Sequence, residues 1–153
     1  MEFANGQYDF KKDIITGEQG QKFIRTFLEQ KGFIYVDECN TNEYDLKMSY
    51  QSKEYTYEIK TDVYKTNTGN MVIEFESRGK PSGISVTKAD FFVTYFPFLG
   101  EVWNISSNDL KRLINDIKPM IFEHAGDQSS NTRLYRLKKS EVASHFKVHK
   151  VDK

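Results

Sequence analysis

Two carboxylates and one ammonium group are spaced so that folding could bring them together. Glu58 and Lys60 lie in the run 55–60, whose aromatic and β-branched residues predict a strand. Residues two apart on a strand project from the same face, so Glu58 and Lys60 should point the same way. Asp45 lies in an earlier strand-like run at 44–50, and a hairpin between the two runs would bring Asp45 beside Glu58.

The chemistry open to such a group is hydrolysis of a phosphodiester. Neighbouring carboxylates repel each other unless a cation lies between them, and hard divalent ions such as Mg²⁺ prefer oxygen ligands. A lysine beside that ion can orient or deprotonate a water molecule. A short acidic-x-lysine triplet is nevertheless common on strand surfaces, so the surrounding sequence has to support this interpretation.

The spacing of Asp45, then twelve residues, then Glu58, Ile59 and Lys60 resembles the active-site signature of the PD-(D/E)XK nuclease superfamily. The resemblance implies that Asp45, Glu58 and the Ile59 carbonyl bind Mg²⁺, with Mn²⁺ able to substitute, and that Lys60 is the catalytic lysine. The sequence departs from the family at Tyr44, where a proline is frequent. Proline is not a metal ligand, so the departure leaves the implied chemistry intact.

A further ligand is expected from the first helix, whose apolar periodicity begins near Gly17 and ends near Gly32. In nucleases of the resembled family this helix often supplies an acidic residue, and Glu18 is the matching candidate. The alternative is that Glu18 only favours the helix N-terminus through the helix dipole. Glu74 and Glu76, on a later strand, are similarly either extra ligands or part of a solvated face.

A loop rich in glycine and proline follows at 77–88 and offers contacts to phosphate groups. Cations and backbone amides of such loops bind phosphate oxygens. The candidates for these contacts are Arg78, Lys80, Ser82 and Lys88. Together with a predicted short helix at 86–89 and an apolar strand at 91–96, this block resembles the segment after the catalytic lysine in small phage-type members of the superfamily.

The resemblance implies an α+β fold (an α/β sandwich) with a restriction-endonuclease-like core. This core is a mixed sheet of about five strands flanked by helices, in the order α-β-β-β-(β)-α-β-β. The other elements predicted from periodicity are strands at 33–37, 44–50, 53–62, 71–76 and 101–105, and a helix at 109–118. We expect one domain over 1–153, with the core at about 17–105 and a C-terminal helix and basic tail at 106–153.

Composition narrows the functional classes. The chain carries 22 Lys and Arg against 22 Asp and Glu, which argues against a general polyanion binder. Residues 133–153 nevertheless carry seven basic and two acidic residues, so this end either contacts phosphates or is an ordinary solvated tail. The single Cys39 excludes an intrachain disulfide, and the three histidines have no shared metal-ligand spacing.

The sequence as a whole predicts a metal-dependent deoxyribonuclease that acts on DNA. It has no membrane-length apolar run and no secretion signal, so we expect a cytoplasmic protein. A small nuclease that cuts both strands usually forms a two-fold homodimer, and the apolar region 98–122 is the candidate contact. The alternatives are a non-catalytic nucleic-acid-binding or interaction module on the same fold, and a purely structural α+β protein.

Overall fold

The computed structural model of the 153-residue chain describes residues 10–39, 43–124 and 131–152. The helices of these residues are α1 (Phe10–Gln30), α2 (Ser107–Ile117) and α3 (Lys139–Val142). The strands are β1 (Ile34–Glu38), β2 (Leu46–Tyr50), β3 (Lys53–Thr61), β4 (Asn70–Ser77), β5 (Lys80–Pro81), β6 (Phe91–Phe96), β7 (Glu101–Ser106), β8 (Met120–His124), β9 (Thr132–Lys138) and β10 (Lys147–Lys150).

Six strands form a mixed sheet in the order β1-β2-β3-β6-β7-β10. Strands β3 and β6 are parallel, and the other neighbours in this sheet are antiparallel. The parallel pair needs a long crossover, and the segment 62–90 provides it. The structure confirms the predicted α+β class with a mixed central sheet, which has six strands where about five were predicted.

A second sheet of four antiparallel strands lies in the order β5-β4-β9-β8. Periodicity predicts β4 correctly as a strand, but β4 belongs to this second sheet and not to the central one. Its partner is β9, with Met71 opposite Leu137 and Ile73 opposite Tyr135. A local pattern of alternation specifies a strand but not a partner this distant along the chain.

The six-stranded sheet is covered on both faces. On one face, α1 packs Ile24 and Leu28 against a cluster that includes Leu46, Met48 and Tyr57. On the other face, β6 and β7 pack against the second sheet and α2, in a larger cluster of buried residues. That cluster comprises Met71, Ile73, Ile84, Phe92, Phe96, Trp103, Ile105, Leu110, Leu113, Leu137, Val142 and Phe146. The molecule is therefore layered as helix, sheet, then sheet with helix.

The helix predicted at 109–118 is confirmed and begins two residues earlier. The side-chain oxygen of Ser106 accepts a hydrogen bond from the Asp109 backbone N–H at 3.1 Å, which caps the first turn. Lys118 adopts a left-handed conformation with φ of 47° and ends the helix before Pro119.

The short helix predicted at 86–89 is replaced by one 3₁₀ turn at Gly83–Ser85. Residues after this turn bond elsewhere, because the Lys88 N–H donates to the Glu43 carbonyl at 3.0 Å. The Thr87 hydroxyl oxygen accepts from the Ala89 N–H at 3.2 Å. Such local side-chain bonds compete with helical ones, and residues 86–89 form no helix.

The C-terminal segment expected as a basic tail is folded into both sheets. β9 lies between β4 and β8, and β10 pairs with β7 at the edge of the central sheet. Several of its cations act inside the molecule, since Lys139 is buried beside Glu101 and Arg133 lies 3.6 Å from Glu76. The fold therefore extends well beyond 17–105.

No helix of the described residues is long and apolar enough to cross a membrane.

Candidate active site

Asp45 sits where the ladder between β2 and β3 ends. The last paired residues are Leu46 and Tyr57, and the Asp45 N–H donates to the Tyr57 carbonyl at 2.9 Å. Beyond this point the Asp45 carboxylate takes the place of a backbone acceptor, because it accepts the Ile59 N–H at 2.8 Å. The predicted hairpin is confirmed, and it brings Asp45 opposite Glu58.

Glu58 is a half-buried carboxylate with one hydroxyl donor. The Thr87 hydroxyl donates to its Oε1 at 3.1 Å. Burial, followed by the negative charges of Asp45 and Glu74, raises the pKa of Glu58 to about 7, although the hydrogen bond from Thr87 opposes the rise. A strongly raised pKa caused by burial and a second carboxylate is a feature of functional sites.

Asp45 is shifted in the same direction for a related reason. Burial raises its pKa, and the hydrogen bond from the Ile59 N–H opposes that rise. Asp45 precedes β2 and Glu58 lies on β3, and two partly desolvated carboxylates close together destabilise each other when both are ionised. A cation bound between them would remove this cost.

Lys60 shares a strand face with Glu58 and is partly buried. Tyr57 and Ile59, which alternate with these two residues, face α1 in the opposite layer. Among the described residues Lys60 takes part in no ion pair. Its ammonium group is therefore not committed to a structural partner.

The loop after β4 lies against this site. A Cβ added at Gly83 would fall 2.2 Å from the Glu74 carbonyl oxygen, so only glycine allows the loop to approach β4 this closely. Thr87 continues the same loop to Glu58. Asp90 then fixes its far end to β3, because its carboxylate accepts the Thr56 N–H at 2.9 Å.

The four predicted phosphate contacts lie along this loop in different settings. Arg78 and Lys80 are exposed at the turn between β4 and β5, and Ser82 follows them. Lys88 is exposed next to Thr87 and forms an ion pair with Glu43 at 3.8 Å. Lys88 is thus adjacent in the chain to a residue that contacts Glu58, while Arg78 and Lys80 lie farther out along the hairpin.

Glu18 is exposed on α1, which covers the opposite face of the central sheet. Within the described residues, no three His, Cys, Asp or Glu side chains form a group that could hold a metal ion. The role of Glu18 as a third carboxylate ligand stays a prediction. The contact from α1 to the site comes instead from Gln21, whose side-chain amide donates to the Asp45 carbonyl at 3.2 Å.

The donors present suit a hard divalent cation bound by few protein ligands. Asp45 and Glu58 offer carboxylate oxygens at the end of the β2–β3 ladder. Mg²⁺ is usually held by one or two carboxylates with water and substrate oxygens completing its shell, so two carboxylates fit this ion.

Thr87 and Gln21 are the site residues that the sequence did not reveal. Thr87 lies twenty-nine residues from Glu58 and Gln21 twenty-four residues from Asp45, and neither belongs to a local motif. The charged residues were recognisable because their spacing on two adjacent strands carried a chemical meaning. Neutral hydrogen-bonding residues carry no such signal.

Comparisons with known proteins found similarity to solved structures but not to other sequences. No protein-family model matches the sequence, and no curated protein is detectably similar to it. The structure of a bacterial homing endonuclease, I-Ssp6803I, is similar with a TM-score of 0.49 and 18% sequence identity. The similarity covers 61% of this chain and 68% of that chain.

Proposed function

We propose that this chain is a metal-dependent endonuclease that hydrolyses DNA phosphodiester bonds at Asp45, Glu58 and Lys60. The observation that supports it most is the pairing of two partly buried carboxylates at the end of the β2–β3 ladder, with a lysine on the same strand face as Glu58. A glutamate in a Glu-Ile-Lys run on a fully exposed strand would lack the burial and the neighbouring carboxylate that raise the pKa of Glu58 to about 7.

Asp45, Glu58 and the Ile59 carbonyl would hold Mg²⁺, and Mn²⁺ would substitute for it. When bound, the ion supplies positive charge that polarises the scissile phosphate and lowers the pKa of a coordinated water. Glu18, exposed within α1, is proposed as a further ligand.

The chain's own residues have distinct tasks in this proposal. The Ile59 N–H and the Thr87 hydroxyl hold the two carboxylates in fixed orientations, which limits the cost of organising the site. The Lys60 ammonium orients the attacking water or stabilises charge that develops on the phosphate. Arg78, Lys80, Ser82 and Lys88 bind neighbouring phosphates and set the position of the DNA backbone.

The test is cleavage by the wild type and three variants, Lys60→Ala, Asp45→Asn and the control Lys53→Ala. Lys53 lies on the same strand but is exposed and outside the site. The substrates are supercoiled plasmid, linear duplex, single strands and a four-way junction, each with Mg²⁺, Mn²⁺ or EDTA. We expect metal-dependent cutting that is lost in the two site variants and kept in the control.

The rival function is a nucleic-acid-binding or interaction module on the same fold. DNA binding without cutting of any substrate, together with no Mn²⁺ binding by the wild type, would decide in its favour. Cutting that survives in Lys60→Ala at the wild-type rate would contradict the assignment of the site.

The proposal includes a homodimer, because two active sites related by a two-fold axis can cut both strands of a duplex. Exposed apolar side chains in the region 98–122 support the expected contact. They are Phe98, Ile117, Met120 and Ile121, between 42% and 59% exposed. Met120 and Ile121 lie on β8, an edge strand with unpaired backbone groups that a second copy could pair.

A further inference from the structure

The face of the central sheet opposite Asp45 and Glu58 is only partly covered by α1. Alongside the last turns of this helix, a groove of about 370 Å³ opens over β2, β3, β6, β7 and β10. This volume lies within the range of small-molecule sites in proteins. We call it the aromatic groove. The lining residues that matter for ligand binding are Lys31, Phe33, Tyr55, Phe91, Asn104 and Lys147.

The floor and one wall of the aromatic groove are rings. Tyr57 and Phe91 stack with ring centroids 5.4 Å apart, and Tyr55 lies 6.0 Å from Phe91. Phe33 stacks on Tyr50 at 4.6 Å on the other side. Tyr50, Tyr55, Phe33 and Phe91 all remain partly exposed. Such rings offer flat surfaces on which a further planar ring can stack.

The rim of the aromatic groove is basic. Lys31 and Lys147 are exposed and line the groove together with His149. Burial lowers the pKa of His149, and the charges of the two lysines lower it further. No acidic residue lines the groove. The carbonyls of Leu28 and Glu29, at the end of α1, accept backbone N–H groups from Phe33, Lys31 and Gly32, so these helix-end acceptors are satisfied.

A polar group without a partner completes the site. Asn104 lines the aromatic groove, and its side-chain oxygen is buried with no hydrogen-bond partner among the described residues. A buried amide oxygen left unpaired costs free energy, and a ligand that donates a hydrogen bond would recover it.

We propose that the aromatic groove binds a nucleotide unit, with the base stacked on the aromatic wall and the phosphate held by Lys31 and Lys147. The Asn104 amide bonds an edge of the base. The shared chemistry is a planar base carrying a phosphate, supplied either by a free mononucleotide or by an unpaired nucleotide of a single strand. The site lies on the opposite sheet face from Asp45 and Glu58, so the proposal does not rest on the nuclease function.

The experiment is calorimetric titration of the full chain in EDTA, with dAMP, deoxyadenosine, inorganic phosphate, a hexamer of thymidylate and a duplex hexamer as probes. We expect saturable binding of dAMP or the single-stranded hexamer, with weaker binding of deoxyadenosine and of phosphate because each lacks half of the ligand. Binding of dAMP alone identifies a free nucleotide, and tighter binding of the hexamer identifies a single strand.

Substitutions distinguish binding in the aromatic groove from non-specific electrostatic binding to surface lysines. Lys147→Ala and Lys31→Ala should each weaken binding about tenfold, the usual effect of losing one charge-assisted hydrogen bond. The matched control is Lys111→Ala, which removes an exposed lysine from α2 on the other side of the central sheet, and should leave binding unchanged. Asn104→Ala should weaken dAMP binding but not phosphate binding.

The proposal would be overturned if neither dAMP nor the hexamer bound saturably, or if inorganic phosphate bound as tightly as dAMP. Weakening of binding by Lys111→Ala equal to that by the groove variants would overturn it as well. Competition by N-acetylphenylalanine as strong as that of dAMP would also overturn it, since the groove would then recognise any aromatic anion. Lys60→Ala should bind dAMP as the wild type does, so failure of the nuclease assignment would leave this result standing.

Discussion

At the residue scale, the carboxylate pair costs the fold stability at neutral pH. Glu58 has a pKa of about 7 in the folded chain against 4.5 for a free glutamate. Between these values the unfolded chain has lost its proton while the folded chain keeps it, so stability falls as the pH rises from 4.5 to 7. The loss is roughly 3 kcal/mol for a shift of this size. A bound cation would offset it.

The first prediction follows from this fall in stability as the pH rises. Glu58→Gln should raise the free energy of unfolding at pH 8 by about 2–3 kcal/mol in EDTA and leave it nearly unchanged at pH 4, because glutamine resembles the protonated acid. Urea denaturation at the two pH values measures both. The same variant should lose cleavage although it is more stable, so its loss of activity could not be explained by unfolding. A wild type equally stable at pH 5 and pH 8 would contradict the raised pKa.

A second prediction concerns the hydroxyl of Thr87. Its hydrogen bond lowers the pKa of Glu58, so Thr87→Val should raise that pKa further. Cleavage should then fall several-fold at pH 7 and recover at pH 9, where Glu58 is ionised in both proteins. The control Thr87→Ser keeps the hydroxyl and should keep the wild-type pH profile. An equal loss of cleavage at both pH values would show that Thr87 does not act through the pKa of Glu58.

At the scale of elements, the close approach of α1 to β3 depends on Gly20. A Cβ at this position would lie 1.8 Å from the Thr61 side-chain oxygen and 3.0 Å from its Cβ. Threonine is stiff about its first side-chain torsion, and rotation would bring its methyl group into the same space. The helix would have to move away from the strand that carries Glu58 and Lys60.

The third prediction uses two glycines of the same helix. Gly20→Ala should destabilise the chain by about 1–3 kcal/mol, the usual cost of overpacking. Gly17→Ala, whose added Cβ would have nothing within 4 Å, should stabilise it by about 0.5–1 kcal/mol because alanine favours the helix. Denaturant unfolding of the two variants measures the contrast. Equal effects of the two substitutions would show that helix propensity, and not contact with Thr61, determines the change in the free energy of unfolding.

At the scale of the whole molecule, a buried ion pair joins the two sheets. Glu101 on β7 accepts hydrogen bonds from Trp103 at 3.1 Å, Lys139 at 3.2 Å and Lys150 at 2.6 Å. Burial alone would raise the pKa of Glu101, but the bonds from Lys150, Trp103 and Lys139 hold it below its usual value. Lys139 follows β9 of the second sheet and lies 3.9 Å above the Phe96 ring.

The fourth prediction is that Glu101→Gln destabilises the chain by about 3 kcal/mol, because it leaves the buried Lys139 without a counter-charge. Lys150→Ala is the control. The Lys150 side chain is 75% exposed, so its loss should cost at most about 1 kcal/mol. Thermal unfolding of both variants at pH 7 measures the difference, and equal losses would show that Lys139 does not depend on Glu101.

The fifth prediction tests the proposed homodimer through its exposed edge strand. Ile121→Lys on β8 should convert a dimer to monomers, because it places a charge in an apolar contact. Val148→Lys, on the exposed edge strand β10 of the other sheet, should not. Sedimentation velocity at several concentrations measures both. A monomeric wild type, or a dimer that Ile121→Lys leaves intact, would contradict this contact.

The sequence by itself determined many of the elements and the two carboxylates and lysine of the site. It did not give β5, β8 and β10, or the start of α1 at Phe10. The alternation around Glu58 and the spacing to Asp45 were sufficient to predict a hairpin and a carboxylate pair, because strand periodicity places charged residues on a known face. The helix before Pro119 and the strand at 71–76 were equally readable, since each is specified by local periodicity and its end signals.

Only the tertiary structure decided which distant segments meet. In the structure β4 pairs with β9 in a second sheet, and the basic C-terminal segment contributes strands to both sheets. Thr87 forms a hydrogen bond with Glu58. Alternation fixes which face of a strand is buried but not which strand lies beside it, and a neutral hydroxyl acquires its role only from the group it contacts. The raised pKa of Glu58 has the same origin, because burial and charge at a site depend on all the layers around it.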